Sequence, residues 1–225
     1  MEAAAISVGV QTWGTDLPAL RRYWAEAESP GYQRLTYGDG LWAWTYDGWT
    51  MLGALALLTR GIRIGPAVTY CFDPFSRHPS WLAKAAAVDH LSNGRLDLRL
   101  GVGAEDPGAA AFWKSHGVSY PGAGDRVECL EEGIRIVAQL WEGGPVDFAG
   151  RFFTLKGARL SPRPLQTPRP PVWVAAMGRR ALRVVALHAD GWEASYLTPA
   201  AYADRARQLR SLLEQVLPAL SRQTA

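Results

Sequence analysis

The chain has 225 residues, 48% hydrophobic and 20% charged, enough to bury a large core without staples and too apolar for a disordered segment. Its 24 Lys+Arg against 21 Asp+Glu give a net charge of +3, and the arginines are scattered from Arg21 to Arg222 among acids, unlike the basic stripe that binds a phosphate backbone, so nucleic acid is not an expected partner. No apolar run approaches the ~20 residues of a membrane helix, no signal-peptide pattern opens the chain, and Cys71 and Cys129 are too few for a disulfide framework; a reduced, cytoplasmic protein with no membrane partner is expected.

Residues 6–11 form a β-branched run closed by Trp13-Gly14-Thr15-Asp16, where Thr15 or Asp16 caps a helix that Pro18 begins. Strand 32–37 and an apolar helix 49–58 repeat the unit, and strand 62–69 follows Arg60-Gly61 at once. Pro79 opens a helix over 79–91 that Ser92-Asn93-Gly94 ends, and strand 95–100 comes next. Beyond Gly101-Val102-Gly103, apolar positions Val127, Leu130, Ile134, Val137 and Trp141 predict a helix over about 126–141. Residues 145–155 then break the alternation with a hairpin around Ala149-Gly150-Arg151, and 161–171, with five prolines, predict an extended connector. The pattern resumes as strand 171–176, helix 180–188, strand 191–195 and helix 199–217.

Six β/α units with an insertion at about 145–171 fit one domain over 1–225, either as a barrel shortened from its usual eight units or as an open doubly wound sheet. The first strand-to-helix turn has no G-x-G-x-x-G, which argues against a dinucleotide fold.

Arg77-His78-Pro79, Asp89-His90-Leu91-Ser92-Asn93-Gly94-Arg95 and Leu100-Gly101-Val102-Gly103, followed by the hairpin, the proline connector and His188-Ala189-Asp190-Gly191-Trp192, together resemble the bacterial luciferase-like superfamily. The resemblance is greatest to its deazaflavin (coenzyme F420)-dependent oxidoreductases. It implies a TIM-type α/β barrel, here of about six β/α units with an inserted hairpin. Coenzyme F420, or FMN as the alternative, would sit at the C-terminal ends of the strands and pass hydride or react with oxygen on a mid-sized organic substrate.

The same resemblance suggests residues. Asp39 stands where relatives carry an Asp-His pair, but Gly40 follows it; Asp39 either touches the cofactor ring or makes an Asx turn. Trp44 falls where relatives place an aromatic over the active site, and it could equally roof the barrel. Thr69, Tyr70 and Cys71 lie where relatives bulge the backbone beneath the ring, with Cys71 more naturally inert packing than a nucleophile. Gly101 and Gly103 shape the next strand exit. Glu105 and Asp106 lie near the family's proton donor, displaced by one because Ala104 holds the usual position, and either could instead cap a helix beyond Pro107. Ala176, Met177, Gly178 and Arg179 resemble the family's phosphate turn, which Ser195 would complete, with Arg180 adding positive potential.

The four histidines show no metal spacing; His188 fits a helix end, and His116 is the one to test as an acid. The alternative function is a non-redox enzyme or ligand-binding protein on a degenerate barrel. An uncovered sheet edge leads to the expectation of a homodimer or larger assembly alongside the small-molecule substrate.

Overall fold

A computed structural model describes residues 8–29, 31–71, 78–104 and 106–220. The first residues of the predicted opening strand, 6 and 7, lie outside them, as do Arg77 and Glu105.

Strand β1 (Gly9–Thr12) leads into α1 (Leu17–Ala27), whose N-cap is Asp16: its carboxylate accepts the Ala19 N–H at 3.0 Å, and Pro18 lies in the first turn. Leu20, Trp24 and Ala27 form the buried stripe of α1. β2 (Arg34–Tyr37) precedes α2 (Gly48–Leu58), which Asp47 caps by accepting from Thr50 N–H at 2.8 Å.

The single strand predicted over 62–69 is instead two pieces, β3 (Arg63–Pro66) and β4 (Thr69–Tyr70), joined through a cis Ala67–Val68 peptide. The irregularity expected at Thr69–Cys71 therefore falls earlier in the chain. Pro66 has no N–H to offer the ladder, so regular pairing stops there.

The helix predicted over 79–91 is also interrupted. α3 (Pro79–Leu82) and α4 (Ala86–Leu91) flank a 3₁₀ turn at Ala83–Ala85, and Trp141 Nε1–H donates to the Ala83 carbonyl at 2.8 Å. β5 (Leu98–Gly101) and α5 (Pro107–Ser115) follow; α6 (Ala123–Glu142) starts nearly a turn earlier than predicted. The hairpin pairs β6 (Val146–Ala149) with β7 (Thr154–Ala158), and β8 (Val172–Ala175), α7 (Arg179–His188), β9 (Gly191–Glu193) and α8 (Pro199–Leu220) complete the order.

The strands decide between the two predicted topologies. β1, β2 and β3 pair in parallel, as do β4, β5, β8 and β9, and an Ile64–Leu96 bridge joins the two sheets. The order follows the chain without reversal, whereas a doubly wound sheet reverses at its switch point. This is the path of a barrel wall, with every strand C-terminus on one rim.

Buried polar groups hold the opposite rim and the insertions. Arg95 uses its whole guanidinium: Nε–H donates to Ser92 O at 2.6 Å, Nη1 to Thr59 Oγ1 (2.8 Å) and Ile62 O (2.7 Å), and Nη2 to Ala56 O (2.9 Å) and Thr59 O (2.8 Å). Those carbonyls include the C-terminal ones of α2, which have no partner within the helix. Asp97 accepts from Arg34 and Arg63 at the strand N-termini, and the Arg34 guanidinium lies 4.3 Å from the Trp173 ring centre. Asp89, fully buried, accepts from Leu165 N–H (2.8 Å), Gln166 N–H (3.1 Å) and Gln166 Nε2 (2.7 Å), which fixes the proline-rich connector. Glu132 on α6 receives the backbone N–H groups of Arg151 (2.6 Å), Phe152 (3.0 Å) and Phe153 (3.0 Å), seating the hairpin turn.

Arg95→Ala leaves several buried carbonyls without a donor and should cost about 2–4 kcal/mol in urea unfolding; an unchanged midpoint would show that the guanidinium is not structural. Glu28 supplies a pH signature. Burial raises its carboxyl, but the N–H groups of Ile62, Arg60 and Gly61, with nearby Arg95, outweigh this and hold it below the ordinary 4.5. A depressed folded value means its contribution is complete above pH 4.5 and is lost as the pH falls through that folded value. Stability measured between neutral pH and pH 3 should thus fall more steeply in the wild type than in Glu28→Gln.

Candidate active site

The C-terminal rim encloses a cleft of about 810 Å³. Its floor is made by Val68 and Tyr70 from the β3–β4 path and by Gly101 at the end of β5; a Cβ on Gly101 would come within 2.7 Å of Val68 Cγ2, so glycine permits the close approach of the two strand exits. One wall is the β5 exit through Val102, Gly103 and Ala104 with the start of α6; the other is the β8–α7 turn, Ala175 to Ala181, with Glu193, Ser195 and Tyr196 beyond β9.

Of the residues singled out in the sequence, Tyr70, Gly101, Gly103, Ala176, Met177, Gly178, Arg179 and Ser195 all line this cleft. α7 begins at Gly178 with no side chain capping it, so its first-turn N–H groups face the cleft beside Arg179 and Arg180. Uncapped amides, two guanidinium groups and a hydroxyl form a donor set that fits a phosphate.

Asp39 and Thr69 lie just beneath. Both are buried, and the Thr69 hydroxyl donates to the Asp39 carboxylate while accepting from Trp49 Nε1–H at 3.0 Å. They join the ends of β2 and β4 and do not line the cleft. Cys71 is fully buried; burial, with Cys129 beside it, pushes its thiol far up, and its Sγ lies 3.3 Å from where a Cβ on Gly133 of α6 would stand. That is a packing environment.

Trp44 and His116 also stand outside the lining residues. Trp44 is 52% exposed and stacks on Trp42 (6.0 Å between ring centres); Trp42 stacks on Phe112 (4.0 Å), and Phe112 packs on His116 (4.6 Å). Phe112 and Trp113 continue the row edge-to-face to Tyr70. The loop after β2 and the exposed end of α5 thus build an aromatic wall that, among the described residues, reaches the cleft at Tyr70. Asp106 is the N-cap of α5, accepting from Gly108 N–H (3.2 Å) and Ala109 N–H (3.1 Å), while Glu105 falls outside the described residues.

Sequence reasoning missed Glu193, Tyr196, Arg126 and Arg205, all cleft-lining. Glu193 was accessible: it sits two residues before Ser195, the spacing that places side chains on one strand face. Its carboxylate is held by Arg99 at 2.7 Å, with both side chains mostly buried in the barrel lumen. Arg126 is occupied, donating to Val102 O (2.7 Å), Pro121 O (2.6 Å) and Ala104 O (3.2 Å), so it shapes the β5 exit. A smaller hollow of about 400 Å³ between β1 and α1, lined by Trp13, Tyr23 and Tyr32, has no arginine among its described lining residues.

Burial, reinforced by the fields of Tyr120, Asp39 and Glu193, pushes Tyr70 from 10.0 up to about 12, which keeps it a hydrogen-bond donor throughout the working pH range. The ultraviolet difference between wild type and Tyr70→Phe should therefore show no phenolate at pH 10 and develop one only near pH 12; a full signal at pH 10 would contradict the buried position.

Comparison with known proteins agrees with this fold. Residues 3–223 match the luciferase-like monooxygenase family. The chain is 34% identical over 174 residues to a phthiodiolone/phenolphthiodiolone dimycocerosates ketoreductase of Mycobacterium sp. (strain JLS), covering 75% of this chain and 43% of that protein. It is 30% identical over 175 residues to an F420-dependent glucose-6-phosphate dehydrogenase of Microbacterium testaceum, covering 74% and 49%. The coenzyme F420-dependent tetrahydromethanopterin reductase of Methanopyrus kandleri superposes with a TM-score of 0.78 at 21% identity, covering 94% of this chain and 62% of that structure. The chain spans about half the length of the curated relatives it matches. With strands paired in chain order, a cleft on their C-terminal rim and a match running from residue 3 to residue 223, the chain belongs to the luciferase-like monooxygenase family and has its α/β barrel fold.

Proposed function

We propose that the chain binds a phosphate-bearing flavin or deazaflavin, coenzyme F420 first and FMN as the alternative, and acts as an oxidoreductase on a mid-sized organic substrate. One observation carries the reading: the uncapped N-terminus of α7, Arg179, Arg180 and Ser195 face a cleft whose far end is walled by Val68, Gly101 and Tyr70. The polar end suits a phosphate, and the apolar end suits a flat ring. The similarity to an F420-dependent dehydrogenase supports the order of preference.

When bound, such a group supplies hydride or oxygen chemistry. The chain's own residues bind and orient. The β8–α7 turn and Arg179 would hold the anionic tail, Gly101 and Val68 would set how deeply the ring could lie, and the protonated Tyr70 side chain walls the ring end. The aromatic row from Trp44 to Trp113 packs behind Tyr70 and supports that end of the cleft.

A second reading, ligand binding without redox turnover, is favoured by one feature: no histidine lines the cleft among the described residues, since Gly40 follows Asp39 and His116 lies on the exposed end of α5. Proton transfer near neutral pH then has no imidazole to use.

Titration of the purified chain with oxidised and reduced F420 and FMN should give saturable micromolar binding to one of them. Replacing Arg179 and Arg180 together by Ala should weaken it by about tenfold or more, in line with the loss of charge-assisted hydrogen bonds, and raising the salt should weaken the wild type more than the double variant. Binding without substrate turnover across a panel of ketones, alcohols and alkanes would favour the second reading. Failure to bind either cofactor removes the first.

A further inference from the structure

We propose that Tyr196 is a ligand-contacting residue that lays its ring against the flat ring system held in the cleft, and so selects for aromatic heterocycles. The inference rests on the cleft being a flavin or deazaflavin site and names a contact that the resemblance to the family did not supply.

Tyr196 lies on the five-residue loop 194–198 between β9 and α8 and lines the cleft beside Ser195, near enough to Tyr70 at the ring end for its field to reach that hydroxyl. Two features set it apart. Its φ is +57°, in the left-handed region that side-chain-bearing residues rarely adopt. The one other described non-glycine residue there is Asn93 (φ 55°), at the Asn-Gly exit of α4, where asparagine is common. Tyrosine has no such affinity for this conformation, and the loop contains no glycine. Its ring is also fully exposed, at 104% of the reference value, more than any other large apolar or aromatic side chain described.

The loop is not loose at its ends. Trp192 on β9 donates through Nε1–H to Ala176 O at 2.8 Å and stacks on Tyr202 of α8 at 5.2 Å, nearly parallel at 15°. The Thr198 hydroxyl accepts from Ala201 N–H at 3.3 Å as α8 begins. A short loop fixed at both ends is thus held in a disfavoured backbone conformation that leaves a large aromatic in water at the lip of the cleft. Each feature is unfavourable for the free chain, and the exposure is relieved if the ring covers a bound ligand. Met177, 40% exposed, lines the cleft from the phosphate turn and offers a second apolar contact. A flat, electron-poor heterocycle is the class of ligand that a phenol ring stacks on best.

The test uses the full chain with FMN and, separately, F420, both fluorescent, and compares wild type, Tyr196→Ala and Tyr196→Phe. A phenol in contact with a flavin quenches its emission. For whichever probe binds, Tyr196→Ala should raise Kd about 3- to 10-fold and restore much of the bound-state emission. Tyr196→Phe should keep Kd within about twofold, since the ring remains, while quenching less because it lacks the phenol oxygen. Since Tyr196 is exposed, the variants should keep the wild-type circular dichroism and melting midpoint, separating a contact role from a folding role. Wild-type affinity and emission in Tyr196→Ala overturn the inference while leaving the cofactor reading intact. If the wild type binds neither probe, the cofactor reading fails and this inference with it.

Discussion

Parallel pairing in unbroken chain order constrains everything else in this molecule. A parallel strand can be followed by its neighbour only through a crossover, and the crossovers here return each strand to run the same way beside the last. The strand exits at Thr12, Tyr37, Tyr70, Gly101, Ala175 and Glu193 consequently all open on one rim. Residues far apart in sequence, such as Tyr70, Gly101 and Ser195, meet there because of the pairing rather than through local structure. The N-termini of α6 and α7 are delivered to the same rim, and their backbone dipoles make it electropositive before any arginine is counted.

The two rims are built from different chemistry. At the N-terminal rim and under the insertions, charged groups are buried and saturated: Arg95 by four backbone carbonyls and a hydroxyl, Asp97 by two arginines, Asp89 by the connector. A buried charge is tolerable only when its hydrogen bonds are complete, and a complete set fixes geometry more tightly than apolar packing does. The C-terminal rim is less saturated: α7 has no side-chain cap, Arg179 and Arg180 are exposed, and Tyr196 stands in water. Donors at one end of the cleft and exposed aromatic surface at its lip are what a mixed anionic and aromatic ligand requires.

Much of this was legible in the sequence wherever a local rule has one outcome. Asp16 with Pro18 begins α1, the Asn93-Gly94 pair ends α4, and the 146–158 hairpin shows in its turn and flanking β-formers. The β8–α7 turn itself was legible because strand, glycine and arginine follow one another in a few residues. What was not legible depends on where a side chain turns after the strand ends. Asp39 and Thr69 bond to each other across a gap of thirty residues, and no local pattern announces that. His116, next to a helix end, points along α5 toward Phe112 rather than into the cleft. The break between β3 and β4 and the 3₁₀ turn at Ala83–Ala85 are tertiary effects on segments whose own propensities favour continuity. Glu193 is the instructive omission, since period-2 alternation from Ser195 points to it.

In the proposed function, the β8–α7 turn binds an anion and anchors a ring-bearing ligand in the rim cleft. Its most direct test compares the affinity of the chain for each cofactor with that for the same ring system lacking phosphate: F420 against its phosphate-free deazaflavin chromophore, and FMN against riboflavin. The account predicts that removing the phosphate weakens binding at least tenfold for the preferred cofactor, as expected from losing charge-assisted hydrogen bonds to the α7 turn. Equal affinity with and without phosphate would show that the turn holds no anion and would contradict it.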